Sequence, residues 1–169
     1  GNNYIFEIVY PRGGNFETWI KSSGFKHRPI EIPWWVHKEK YSDNIISNIY
    51  LFFKYKISVV KRYIYTFFLA FRLYKIYRSE KISLVYSNSS VIILGFLVSR
   101  FLSVKHIWHI REFPNKNYGY KYDFGRNIFR KIISLSERII CISESLNQKF
   151  LFNKEKTITL FNAVFKEPN

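Results

Sequence analysis

Short apolar runs that favour β-structure alternate with helical stretches along this chain, and this alternation restricts the fold more than any other feature of the sequence. The strand-like runs cover residues 4–10, 28–32, 82–86, 105–110, 138–142 and 157–161. Helical segments between such runs are typical of βαβ units, in which crossover helices join parallel strands. We therefore expect an α/β fold, a Rossmann-like doubly wound parallel sheet in three layers.

Caps and chain breakers set the expected helices. Asn15 can cap a short helix over residues 16–21, and the patterns over 91–102, 127–135 and 144–150 predict three more. Residues 34–94 contain neither Gly nor Pro, so we expect the part after Asp43 to be helical, as two helices that meet near Ser58.

Charge and aromatic content limit the partners of the chain. It has 27 Lys and Arg against 12 Asp and Glu, and its net charge of +15 attracts anionic surfaces. The 17 Phe, 13 Tyr and 4 Trp beside these cations suit the interface of a membrane. A binder of single-stranded nucleic acid has a similar composition. Because RRM, KH and zinc-finger signatures are all missing, we expect an anionic membrane surface and no nucleic acid.

The single cysteine, Cys141, lies between Ile140 and Ile142 and is expected to be a buried structural thiol. One cysteine and no secretory signal at the start favour a cytoplasmic protein. His27 and His37 lack the neighbouring Cys or carboxylate spacing of a metal site, so we expect neither a metal nor a cofactor.

Polar residues follow three of the expected strands, and ligands bind at the carboxyl ends of strands in parallel α/β sheets. The residues singled out are Asn88 and Ser89, then His109, Arg111 and Glu112, then Ser143 and Glu144. Helix caps and a local ion pair are the structural alternative for each of these groups.

Taken together, several motifs resemble the amino-terminal domain of family 4 retaining glycosyltransferases of the GT-B fold. They are VYSNS over residues 85–89, Gly95, HIWHIREF over 106–113, YG over 118–119, YDFG over 122–125, SERIICIS over 136–143 and FNAV over 161–164. In the last motif Ala163 stands where the family carries glycine.

The resemblance implies transfer of a sugar from a nucleotide-sugar donor to an acceptor, without a metal. Residues 1–164 would form the acceptor-side domain and 165–169 the start of a linker to a donor-binding domain. The family's first strand would precede Gly1, which leaves a gap or a changed order in the sheet. A lipid-linked glycan of bacterial surface polysaccharide synthesis is the expected acceptor, and the chain alone is expected to be inactive. A non-catalytic domain that binds a sugar or a nucleotide remains the alternative, and a basic nucleic-acid-binding module is a further one.

The resemblance also implies roles for single residues. Many members carry a histidine that faces the reacting sugars where Arg111 stands here, and His109 lies two residues earlier. We expect Arg111 to bind an anionic group, with Glu112 as its partner and His109 as the third catalytic candidate. The expected acceptor-binding residues are Asn88, Ser89, Ser143, Glu144 and Asn162.

The stretch after Asp43 is amphipathic. One side of the expected helix carries Phe52, Val59, Tyr63, Phe67, Ala70 and Tyr74, and the other carries Lys54, Lys61, Arg72 and Lys75. We expect these four cations to face the inner surface of a membrane that the protein binds peripherally. Alternatively, the apolar side packs on the sheet and the cations are merely solvated.

Overall fold

Helices and strands alternate along the chain in its computed structural model, which describes residues 5–13, 15–38, 43–112, 119–150 and 152–161. The chain divides into two units, Gly1–Pro33 and Trp34–Asn169. The first unit contains β1 (Glu7–Pro11), α1 (Asn15–Ser22) and β2 (Lys26–Ile30). Strands β1 and β2 pair in parallel, so the α1 crossover makes a βαβ unit as predicted.

The second unit is built around a parallel sheet. Its elements are β3 (Val36–Lys38), α2 (Ile45–Tyr77), β4 (Leu84–Ser87), α3 (Leu94–Leu102), β5 (Lys105–Ile110), β6 (Tyr120–Tyr122), α4 (Gly125–Ser134), β7 (Arg138–Cys141), α5 (Glu144–Phe150) and β8 (Thr157–Thr159). Four of the strands pair in parallel in the order β4-β5-β7-β8. The predicted α/β class and parallel sheet are therefore confirmed.

Strands β3 and β6 form a separate antiparallel pair that the sequence pattern does not predict. Val36 lies opposite Tyr122 in this pair, and Trp35 donates its backbone N–H to Val91 O at 3.0 Å. Each strand has three residues, too few for an alternating pattern to be recognised. The expected loop between β5 and the next helix thus contains a strand.

Helix α2 is one continuous helix of 33 residues, so the predicted break near Ser58 is wrong. The side chain of Asn44 caps it by accepting from the N–H of Ile46 at 2.8 Å. Ser58 is exposed, and a serine inside a helix costs only about 0.5 kcal/mol. Since neither Gly nor Pro interrupts the hydrogen-bond ladder, the helix runs for about 50 Å.

The core of the second unit lies between the parallel sheet and its helices. Strand β5 carries His106, Trp108 and Ile110 on its buried face, where the Trp108 ring stacks on Trp35 at a centroid distance of 5.8 Å. Cys141 is fully buried beside them, as its flanking residues predict. Helix α3 covers β4 and β5, and α2 packs on α3.

His106 is the most polar member of this core. Its Nε2 lies 2.9 Å from Ser87 Oγ and its Nδ1 lies 2.9 Å from Ser136 Oγ. Burial lowers the pKa of His106 to about 4, so the ring is neutral at pH 7. Both ring nitrogens are hydrogen-bonded, which lets a histidine stand in the core.

Candidate functional site at the carboxyl edge of the sheet

The carboxyl ends of β4, β5, β7 and β8 meet along one edge of the parallel sheet. Ser87 at the end of β4 pairs with Trp108 of β5, and Ile110 at the end of β5 pairs with Cys141 of β7. The polar segments that the sequence singles out after β4, β5 and β7 therefore begin at this edge, where parallel α/β sheets bind their ligands.

Glu112 holds the turn after β4 instead of pairing with Arg111. Its Oε1 accepts from Ser89 Oγ at 2.6 Å, from Ser90 N at 2.7 Å and from Ser90 Oγ at 2.9 Å. No ion pair joins Arg111 to Glu112, although the structure describes both residues, so the predicted pairing is wrong. Three donors on one carboxylate oxygen outcompete an exposed guanidinium, since hydrogen bonds to an ionised acceptor are strong.

The same turn is fixed from the core by two tryptophans. Trp108 Nε1 donates to Ser89 O at 2.7 Å, and Trp35 Nε1 donates to Ser90 O at 2.7 Å. The Tyr122 hydroxyl donates to Ser90 Oγ at 3.3 Å, which links β6 to the turn. Because the carbonyls and hydroxyls of Ser89 and Ser90 are all hydrogen-bonded, this part of the turn is a rigid base for the residues beside it.

Tyr86, His109 and Arg111 form the polar group next to this turn. The Tyr86 hydroxyl lies 2.5 Å from His109 Nδ1, and Nε2 of His109 is buried without a hydrogen-bond partner among the residues that the structure describes. Burial and the nearby Arg111 cation lower the pKa of His109, so its ring is neutral at pH 7. Burial raises the pKa of Tyr86, which keeps its hydroxyl protonated. Arg111 itself is exposed.

The other predicted acceptor-binding residues have mixed environments. Asn88 is exposed after β4. Ser143 caps α5, since its Oγ accepts from Leu146 N at 3.3 Å, and Glu144 Oε2 accepts from Thr159 Oγ1 at 2.9 Å. Asn162 lies outside the described residues. Helix capping, the structural alternative, thus accounts for Ser143, whereas Asn88 and Glu144 are exposed at the edge of the sheet.

Helix α2 has an exposed surface that is both apolar and basic. Lys54, Lys61, Arg72 and Lys75 are all exposed, as predicted. The same helix carries large exposed apolar side chains that include Ile49, Phe53, Ile57, Ile64 and Phe68. Several cations lie over neighbouring rings, such as Lys75 Nζ at 4.9 Å from the Phe71 centroid.

The buried side of α2 differs in part from the predicted one. Val59 and Ala70 are buried, but Phe52 and Phe67 are 54% and 52% exposed. No side chain of α2 before Val59 is buried in the described structure, because α2 packs on α3 through its carboxyl-terminal half. The exposed surface of α2 therefore covers more of the helix than the polar side that the sequence predicts.

A second polar cluster surrounds Asp123, and the sequence patterns did not indicate it. The side chain of Asp123 is fully buried: its Oδ2 accepts from Arg62 Nη2 at 2.7 Å, and its Oδ1 lies 3.0 Å from His37 Nδ1. The Tyr55 hydroxyl lies 3.0 Å from the same His37 nitrogen. The sequence around His37 lacks the spacing of a metal site, so no role is predicted for this residue. Its contact with Asp123 joins residues 86 positions apart, which local spacing cannot reveal.

The described residues lack two features that would indicate other functions. No group of three or more His, Cys, Asp or Glu side chains in them is placed to hold a metal ion. None of the described helices combines the length and the apolar character required to cross a membrane.

Comparisons with known proteins add no assignment, since no protein-family model and no curated protein matches the chain.

Proposed function

We propose that this chain is the acceptor-side part of a glycosyltransferase that moves a sugar from a nucleotide-sugar donor to a lipid-linked glycan. The proposal includes a doubly wound, three-layer arrangement and a cytoplasmic site of action at the inner face of a membrane. The donor would be held mainly by a second domain, as the sequence resemblance implies. The observation that carries the proposal is the neutral His109, bonded to Tyr86 and flanked by an exposed Arg111 at the carboxyl edge.

Each residue of this group suits one role. A guanidinium is always charged and binds phosphate in a bidentate manner, so Arg111 would bind a phosphate of the donor or acceptor. Neutral His109 would position the Tyr86 hydroxyl for contact with the acceptor, because its uncharged Nδ1 lies 2.5 Å from that hydroxyl and can accept a hydrogen bond from it. Glu112 would act as a positioning residue through the turn that it holds, and Asn88 and Glu144 would contact acceptor hydroxyls.

Binding of a short-chain prenyl-diphosphate monosaccharide, measured by calorimetry, tests the role of Arg111. We expect Arg111→Gln to weaken binding about tenfold or more, the loss expected when a charge-assisted hydrogen bond is removed. Arg100→Gln removes another exposed arginine, at the end of α3, and should leave binding unchanged. Equal affinities of the native chain and Arg111→Gln would refute this assignment.

The exposed surface of α2 supports the membrane part of the proposal. Each cation near an anionic bilayer contributes roughly 1 kcal/mol, so four can hold the protein reversibly while the exposed aromatics enter the interface. The attachment should weaken with salt, since the Debye length is about 8 Å at physiological ionic strength.

Sedimentation with phosphatidylglycerol vesicles measures this attachment. The Gln variant of Lys54, Lys61, Arg72 and Lys75 should lose binding. A control variant loses the same charge outside α2, through Gln at the exposed residues Arg100, Lys105, Lys131 and Lys154. This control should retain most of the vesicle binding. Equal losses in the two variants, or equal binding to neutral vesicles, would show that α2 is not the membrane surface.

A further inference from the structure

We propose that the cleft beside Asp123 binds a phosphate group. This Asp123 cleft is lined by residues that include His37, Tyr55, Lys121, Asp123, Gly125 and Arg126. None of them is among the residues to which a role was assigned above, so the inference does not rest on the proposed function.

The Asp123 cleft has the size of a small-ligand site. Its volume is about 300 Å³, at the lower end of the roughly 300–1,000 Å³ found for ligand pockets. Polar groups from three separate parts of the chain converge on it: His37 from β3, Tyr55 from α2, and the segment from Lys121 to Arg126. Such convergence of polar groups in a concave surface is typical of a binding site.

The charged side chains that line the Asp123 cleft favour an anion as its ligand. Asp123, the one carboxylate among the described residues that line the cleft, is paired with Arg62 and also contacts His37, and its side chain is fully buried. Its negative charge is thus offset by Arg62, and the wall also carries the exposed cationic side chains of Lys121 and Arg126. A positive cleft with its carboxylate already paired disfavours a metal cation and favours an anion.

The donors in the cleft suit phosphate in particular. Arg126 is fixed at the rim, because its Nη2 donates to the backbone oxygen of Lys149 and its other N–H groups can still bind a ligand. Gly125 begins α4, whose first turn has no acidic residue and no side-chain cap at Phe124, so backbone N–H groups add to the cationic donors. A phosphate offers several charged acceptor oxygens to such a mixed set of donors.

Titration of the ¹⁵N-labelled chain with inorganic phosphate tests the site. The amides of Gly125 and Arg126 should shift in a saturable manner, and Arg126→Gln and Lys121→Gln should each weaken binding about tenfold. Lys131→Gln removes an exposed cation from the same helix, away from the cleft, and should bind as the native chain does. The Gly125 and Arg126 amides should shift in Arg111→Gln as they do in the native chain, which separates this site from the proposed acceptor site. Circular dichroism confirms that each variant is folded.

Dihexanoylphosphatidylglycerol below its critical micelle concentration identifies the source of the phosphate. Tighter binding of this lipid than of inorganic phosphate, lost in Arg126→Gln, assigns a lipid headgroup next to α2. Equal affinities assign a soluble phosphorylated ligand. The proposal is overturned if neither compound shifts Gly125, or if Lys131→Gln weakens binding as much as Arg126→Gln does.

Discussion

Substitution of Gly95 by alanine tests the close approach of α3 to β4. Gly95 lies in the first turn of α3, and a Cβ atom there would stand 2.3 Å from Ser87 Oγ. Ordinary contacts of a Cβ begin at 3.4 Å, so the serine hydroxyl has to leave its position. In doing so it breaks the buried hydrogen bond of 2.9 Å to His106 Nε2.

The expected cost follows from three contributions. A buried nitrogen left without a partner costs about 1–3 kcal/mol, and crowding a packed contact costs about 1–3 kcal/mol. Alanine regains at most about 1 kcal/mol of helix propensity over glycine. Gly95→Ala should therefore lower the free energy of unfolding by about 2–3 kcal/mol, which lowers the melting temperature by about 5–10 °C in a chain of this size.

A double-mutant cycle with Ser87→Ala shows whether this contact is the cause. Without Ser87 Oγ, the nearest atoms to the new methyl group are Val85 Cγ1 at 3.4 Å and the Cβ of residue 87 at 3.6 Å, which are ordinary contacts. In the Ser87→Ala background, Gly95→Ala should lower the free energy of unfolding by less than about 0.5 kcal/mol. Urea denaturation should therefore give a coupling energy of about 2 kcal/mol between the two substitutions. The reasoning fails if Gly95→Ala costs the same in both backgrounds, or costs nothing in the native one.

Three further predictions concern buried polar groups. Burial lowers the pKa of His106 to about 4, whereas a histidine in the unfolded chain has a pKa of about 6.5. Only the unfolded state gains this proton as the pH falls from about 6.5 to about 4, so the free energy of unfolding should fall by up to about 3 kcal/mol. Urea denaturation should show a smaller fall for His106→Gln. Burial raises the pKa of the Cys141 thiol to about 12, so Ellman's reagent at pH 8 should label it only after unfolding, and rapid labelling of the native chain would contradict this burial. Asp123→Ala leaves the partly buried Arg62 without its ion-pair partner. In thermal unfolding, this substitution should lower the free energy of unfolding by about 2–3 kcal/mol, more than Asp123→Asn does.

The main elements of the fold could be predicted from the sequence because their patterns are local. The predicted bounds of β5 and α5 agree with the structure, since a continuous apolar run and a capped helix each carry their own signals. The pairing of β3 with β6 could not be predicted, because its stability comes from Trp35 and Tyr122 packing against the core. The continuity of α2 through Ser58 could have been inferred from the missing Gly and Pro.

The candidate site was predictable in position but not in its pairing. Polar residues after parallel strands indicate an edge site, and Asn88, His109 and Arg111 lie near the strand ends. Glu112 follows Arg111 in sequence, but its carboxylate binds Ser89 and Ser90 instead. Contacts of this kind depend on the three-dimensional arrangement of segments far apart in sequence.

The position of the bound acceptor on the ¹⁵N-labelled chain is the most direct test of the central proposal. We predict that a short-chain prenyl-diphosphate monosaccharide shifts the amides after β4 and β5, near Asn88 and Arg111, and that Arg111→Gln needs about tenfold or more ligand to reach the same shifts. If its shifts lie only elsewhere, or persist unchanged in Arg111→Gln, the carboxyl edge of the sheet is not the acceptor site and the proposed function is wrong.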